Sequence, residues 1–150
     1  MAQPRQFDQK WSFTVEIDDV ERADFMTCSE LTVEAAEVAH WEGGSIIPKK
    51  AAGRLTFSDV TLERGATNDA DLYDWFVSTS NAAAGTGLAE PDYYRNLDII
   101  CKDRDGSELK RWRLYGAWPK TFTAGDWDNT ADEVVIERVV LAFDRFERIA

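Results

Sequence analysis

The residue types that could carry chemistry in this chain are few or badly spaced. His40 is the one histidine, so neither a His-paired metal cluster nor an imidazole acid/base relay can be assembled. Beside Trp41 it reads as an ordinary surface or interface residue. Cys28 and Cys101 have no CxxC partner; they read as buried reduced thiols, with a single disulfide the other option the sequence leaves open. There is no GxSxG, P-loop or GxGxxG pattern, and Gly85-Thr86-Gly87 is too short to cradle a phosphate. A glycosidase needs only two carboxylates in a cleft, but among 28 Asp and Glu residues chance pairs are guaranteed. Asp103-Arg104-Asp105-Gly106 offers the first acids of a calcium loop without the closing glutamate, so a hairpin turn explains it better. No catalytic residue, metal site or cofactor is therefore expected. What remains is aromatic. Trp41, Trp112, Trp118 and Trp127 would make a sugar-stacking platform if exposed together, or would pack a core or a subunit interface, which carries more weight.

Composition narrows the partners. At 150 residues the chain reads as one domain, preceded by a polar flexible arm over residues 1–10, with the β domain over residues 11–150. Hydrophobic residues make up 44% and the formal net charge is −11. Such acidity argues against general nucleic-acid binding, which needs Lys and Arg clusters. It is compatible with a wall that DNA slides past, because an acidic surface repels phosphate. No apolar signal-peptide core is found over residues 1–10 and no run approaches a membrane span, so synthesis in a reducing cytoplasm without export or membrane insertion is expected.

The elements that must position these residues are mostly strands. Trp11, Phe13, Val15 and Ile17 alternate with polar residues, predicting an amphipathic strand. From about Arg22 to Trp41 a second strand region changes apolar phase near Ala35-Ala36, predicting a bulge. Glu42 to Ser45 and Pro48 to Gly53 flank Ile46-Ile47 and read as a protruding loop. Arg54 to Leu62 resumes strand character with another phase change. Thr67 or Asn68 is placed to cap one short helix bearing Leu72, Trp75 and Phe76 on one stripe, and Ser78 to Pro91 reads as a long loop. Arg95 to Cys101 and Ser107 to Tyr115 flank the Asp105-Gly106 turn. Pro119 belongs at a strand start or edge, Thr121 to Trp127 forms a further short strand, and Asp132 to Phe143 the last long one. That last strand is apolar on both faces, with Val134 and Ile136 on one and Val135, Val139, Leu141 and Phe143 on the other. Both faces want cover, which hints at an assembly.

In joint order these segments resemble the tail tube protein family of contractile phages and related contractile injection systems. The resemblance runs through Phe13 to Ile17, Ala23 to Leu31, Thr61 to Thr67 and the helix with Leu72, Tyr73 and Trp75. It is most specific at Arg111-Trp112-Arg113-Leu114-Tyr115-Gly116-Ala117-Trp118-Pro119 and at Glu133 to Leu141. Two positions depart from the family pattern: Glu30 and Lys49 stand where glycine is frequent, which affects local turns.

The resemblance implies a mainly β fold, a barrel or sandwich of about seven strands with one short α-helix, whose copies join into a ring-shaped inner β-barrel. It implies homo-hexameric rings stacked into a hollow tube inside a sheath, with a baseplate hub or tube initiator and a tape measure protein as further partners. DNA or protein cargo would pass through the lumen without specific binding, in a virion tail or an injection particle. The ring-stacking interface is expected at Trp41, Gly43, Gly44, Ile46, Ile47, Pro48, Lys49 and Lys50. The intra-ring interface is expected at Val135, Val139, Leu141 and Phe143. A type VI secretion-like tube or a baseplate tube initiator is the nearest alternative, and a carbohydrate-binding β-sandwich the alternative from another class.

Overall fold

The computed structural model describes residues 12–18, 25–66, 70–83 and 93–149. Within them the chain forms β1 (Phe13–Ile17), β2 (Thr27–Cys28), β3 (Val33–His40), β4 (Lys49–Phe57), β5 (Val60–Gly65), α1 (Asp71–Ala83), β6 (Arg95–Lys102), β7 (Glu108–Thr123), β8 (Ile136–Ala142) and β9 (Arg145–Arg148). The mainly β expectation with one helix is met. A seven-stranded antiparallel sheet runs β1-β6-β7-β8-β5-β2, with β9 also on β7, and β3 and β4 form a separate two-stranded sheet. The expected arm, Trp11 and the caps Thr67 and Asn68 lie outside the described residues; Ala70 O accepts the Asp74 N–H at the helix start.

β7 links the two halves of the large sheet. Its first part pairs with β6, its last part with β8, and Trp112 to Tyr115 also with β9. It bends at Gly116, where Tyr115 and Gly116 lie opposite the single residue Asn96 and the Gly116 N–H is held by Asn96 Oδ1 at 3.2 Å. Gly116 has φ +64°, and a Cβ there would lie 2.4 Å from Asp144 Oδ2, so only glycine fits. The bend brings Val15, Leu97, Ile99 and Leu114 from one half against Val60, Leu62, Val139 and Leu141 from the other. Leu72 and Trp75 of α1 complete the core, and the Trp75 indole N–H donates to Tyr93 O at 2.6 Å.

Several expectations are corrected. Pro119 lies inside β7 and not at its start, fully buried at a bulge; β8 is its one described partner, so of the two expected positions it takes the edge-like one. Thr121 to Thr123 continue β7. The helix runs on to Ala83, because Ser78 and Thr79 turn their hydroxyls back onto Trp75 O and alanine favours helix. The phase change after Phe57 is a break at Ser58-Asp59 between two strands. β8 begins only at Ile136. β9 escaped the pattern because it is four residues long, although Phe146 anchors it against Trp112, Phe57 and Phe143.

The hairpin of β3 and β4 stands apart from this core. Every residue of β3 is exposed, and in β4 only Gly53 and Phe57 are half-buried. The expected bulge is present: Ala35 faces Leu55 and Glu37 faces Ala52, so Gly53 and Arg54 oppose Ala36 alone. Phe57 roots the hairpin through edge-on contacts with Phe143 and Phe146. Stability should divide accordingly. Leu141→Ala is expected to cost about 2–5 kcal/mol in urea unfolding, whereas Leu55→Ala, at a residue 61% exposed, should change it by less than about 0.5 kcal/mol.

Candidate assembly interface

The candidate stacking residues gather at the far end of the hairpin. Pro48 and the preceding residues 41–47 connect the strands, and Lys49 and Lys50 already belong to β4, which places part of the expected loop in a strand. The tip is held by its own backbone and by Ser45. Ser45 N–H donates to Glu42 O at 3.1 Å and Ser45 Oγ to Ile47 O at 2.8 Å, while Gly44 takes φ +85° in the turn. Ile46 is 91% exposed, and Ile47 and Trp41 are also exposed. Three large apolar side chains are thereby exposed, with nothing among the described residues to cover them.

Lys49 and Lys50 point to opposite faces and meet acids of the same hairpin, Glu42 at 3.4 Å and Glu37 at 3.2 Å. These pairs are exposed, so each contributes about 0–1 kcal/mol and is readily exchanged for another partner. His40 faces Lys49 across the ladder and is exposed.

The second candidate group divides. Val139 and Leu141 are 0% exposed and enclosed by the subunit's own core, so they have no surface to give to a neighbour. The strand's apolar phase is met by the opposite half of the same sheet, a pairing that sequence periodicity does not contain. Phe143 is half-buried and spends its ring on Phe57 and Phe146, at the hairpin root. Val135 is half-buried and packs near Gly125. The surface that the sequence did not indicate is backbone. β1 is bonded to β6 alone, β2 to β5 alone, β9 to β7 alone, and the last part of β7 to β8 alone, so these edges of the large sheet are open among the described residues.

One face of β1, β6, β7 and β9 carries an ion network. Asp98 accepts from Arg113 Nε at 2.8 Å and from Arg111 Nη1 at 2.5 Å, and Arg111 also holds Glu108 at 2.7 Å. Tyr115 donates to Glu147, and Arg145 stacks over the Tyr115 ring at 4.1 Å. Glu16 reaches Arg111 at 3.6 Å. These charges satisfy one another, and among the described residues no group of His, Cys, Asp and Glu is disposed to hold a metal ion. The Cys28 thiol is pushed up to about 11, first by burial and then by Cys101, which makes it a poor nucleophile near neutral pH. Neither cysteine is in a disulfide among the described residues.

Burial pushes the Asp98 carboxyl up, but the hydrogen bonds and charges of Arg113 and Arg111 outweigh this and hold it below the usual range. A depressed carboxylate stabilises the fold above its unfolded-state value and loses that contribution as pH falls through its folded value. Asp98→Asn is therefore expected to lower stability by about 1–3 kcal/mol at pH 7. The gap to the parent protein should close below about pH 4, read by urea titrations at several pH values.

Comparison with known proteins agrees with this geometry. The fold matches a chain of the cryo-EM structure of the anti-feeding prophage tube-terminating cap at a TM-score of 0.83 and 20% identity, covering 99% of this chain and 95% of that one. It matches a chain of the sheath-tube complex of the extracellular contractile injection system PVC, in its extended state, at 0.77 and 21%, covering 95% and 91%. Hcp1 from Flavobacterium johnsoniae aligns at 0.60 and 12%, covering 91% and 94%. A curated protein named acetyl-coenzyme A synthetase, from Cronobacter sakazakii (strain ATCC BAA-894), is 28% identical over 140 residues, 91% of this chain and 21% of that protein. The chain thus spans about a fifth of the length of the curated relative it matches. That limited overlap carries no synthetase chemistry to this chain. The profile of T4-like virus tail tube protein gp19 matches residues 9–147, almost the whole sequence, and the chain belongs to that family.

Proposed function

We propose that this chain is the repeating subunit of a hollow tube in a contractile injection machine. Six copies close side by side into a ring through their open strand edges, and rings stack through the hairpins. Closing a ring removes edges that would otherwise template aggregation. Contacts along the axis do not close on themselves and so extend the assembly into a filament. The observation that carries this reading is the hairpin Val33–Phe57, an arm whose residues are exposed almost throughout. An isolated two-stranded hairpin is marginal in water, so the arm is built to be covered by other copies.

On this reading the protein conducts and does not catalyse. A net charge of −11 supplies carboxylates enough for a lumen that repels DNA and sheds protein cargo. A sheath outside, a baseplate hub or tube initiator at one end and a tape measure protein during assembly are the partners such a conduit requires, and a virion tail or an injection particle is its place of work. The domain of residues 11–150 serves as the building block, and the arm of residues 1–10 as a secondary contact. A type VI-like tube is the second reading, favoured by the fold shared with Hcp1.

Negative-stain electron microscopy across a concentration series, with light scattering for mass, tests the proposal. Six-fold rings with a central hole, or stacked tubes, are expected. Ile46→Asp with Ile47→Asp should leave rings intact and shorten tubes at least about tenfold, since burying two unpaired charges is prohibitive. A monomer at every concentration sinks the reading.

A further inference from the structure

The hairpin tip is exposed, and the ends of the β5–β8 ladder bear on what could cover it. The hairpin leaves the body at the Val60/Leu141 end of the β5–β8 ladder, whereas the connection from β7 to β8 lies beyond its other end, past Gly65/Ile136. The ladder has six positions from one end to the other, about 17 Å of strand. The root of the hairpin and the β7–β8 connection therefore leave the body at opposite ends of one ladder, which suits contacts made head to tail between successive copies.

The connection has a built shape although it has no core. Gly125 takes φ +120° and approaches so closely that a Cβ would lie 2.4 Å from Val135 Cγ1 and 3.1 Å from Ile136 O, which fastens the two stems together. Asp128 Oδ1 accepts from Thr130 N–H at 3.0 Å and from Thr130 Oγ1 at 2.7 Å, and Ala131 N–H donates to Asp128 O at 3.2 Å. This loop holds up two apolar side chains, Trp127 at 74% exposure and Val134 at 72%. Around them stand Asp126, Asp132 and Glu133, none ion-paired to a base among the described residues.

We propose that the hairpin tip of one copy docks on the Asp126–Val134 loop of the next copy along the tube axis, Ile46 and Ile47 covering Trp127 and Val134 while Lys49 and Lys50 meet Asp126, Asp132 and Glu133. The proposal rests on the tube reading above. Copies carrying a net charge of −11 repel one another, so a surface that brings them together must set bases against acids. The loop from Asp126 to Val134 holds four acids and no base, and the tip brings two lysines whose present partners are exposed and weakly held.

The test reverses each side and then both. Lys49→Glu with Lys50→Glu, and separately Asp126→Lys with Asp132→Lys and Glu133→Lys, should each shorten tubes at least about tenfold by microscopy and sedimentation, while the two sets combined in one chain restore length. In parallel, Ile47→Cys with Trp127→Cys, in a chain also carrying Cys28→Ser and Cys101→Ser, should give ladders of disulfide-linked copies under oxidation. The cross-link decides even if a charge variant fails to fold. Tubes that persist with loop charges reversed, and an engineered cysteine pair that yields no ladder, overturn this pairing and leave the tube reading standing. A parent protein that forms neither rings nor tubes overturns both.

Discussion

The structure depends on one strand being continuous through a bend. β7 spans Glu108–Thr123 and carries β6 on one side and the β8–β9 segment on the other, so that both halves of the large sheet hang from it. A strand of that length would normally remain in one layer with its twist. Gly116 allows it to fold over, because its φ of +64° is open to glycine and its missing Cβ makes room for Asp144. The facing chain breaks at the same level, between Ala142 and Arg145, with the Asp144 N–H held by Tyr115 O at 2.9 Å. Core, helix seat and hairpin root all follow from that corner: Val139 and Leu141 turn inward, Trp75 seals one side, and Phe143 and Phe146 receive Phe57.

The same economy explains why the chain has an arm. The core is complete without the hairpin, since no residue of β3 or β4 belongs to the buried cluster. The hairpin therefore contributes little to the subunit's own stability. Its β-branched and small side chains, its bulge and its apolar tip are intelligible as an interface that forms after the subunit has folded. Separating the two tasks lets assembly be controlled without threatening the fold. The charged face around Asp98 is the converse. Its arginines and carboxylates are spent on one another, so it ties β1, β6 and β7 together and offers a neighbour little unsatisfied charge.

Much of this was written locally. Alternation marked β1 and β6, Asp105-Gly106 marked the turn before β7, and the phase slip at Ala35-Ala36 marked the bulge, because each signal spans only a few neighbouring residues. The stripe of Leu72, Trp75 and Phe76 gave the helix, and the lack of spaced nucleophiles, imidazoles and metal ligands excluded most chemistry. The order of motifs from Phe13 to Leu141 then pointed to the tail tube family, which the match over residues 9–147 establishes.

Tertiary structure decided what periodicity cannot express. A strand apolar on one phase wants cover, but pattern alone does not say whether its own chain or a neighbour supplies it; for Val139 and Leu141 the fold at Gly116 supplies it from within. Pro119 is expected at a strand start or edge because it lacks a donor; it sits inside β7, where the ladder is one-sided, so the edge holds and the start does not. Which strand edges stay open, and that the hairpin root and the acidic loop leave the β5–β8 ladder at opposite ends, depend on pairings between residues distant in sequence. Local spacing fixes which face a side chain shares with its neighbours; only the closing of the chain on itself fixes what that face meets.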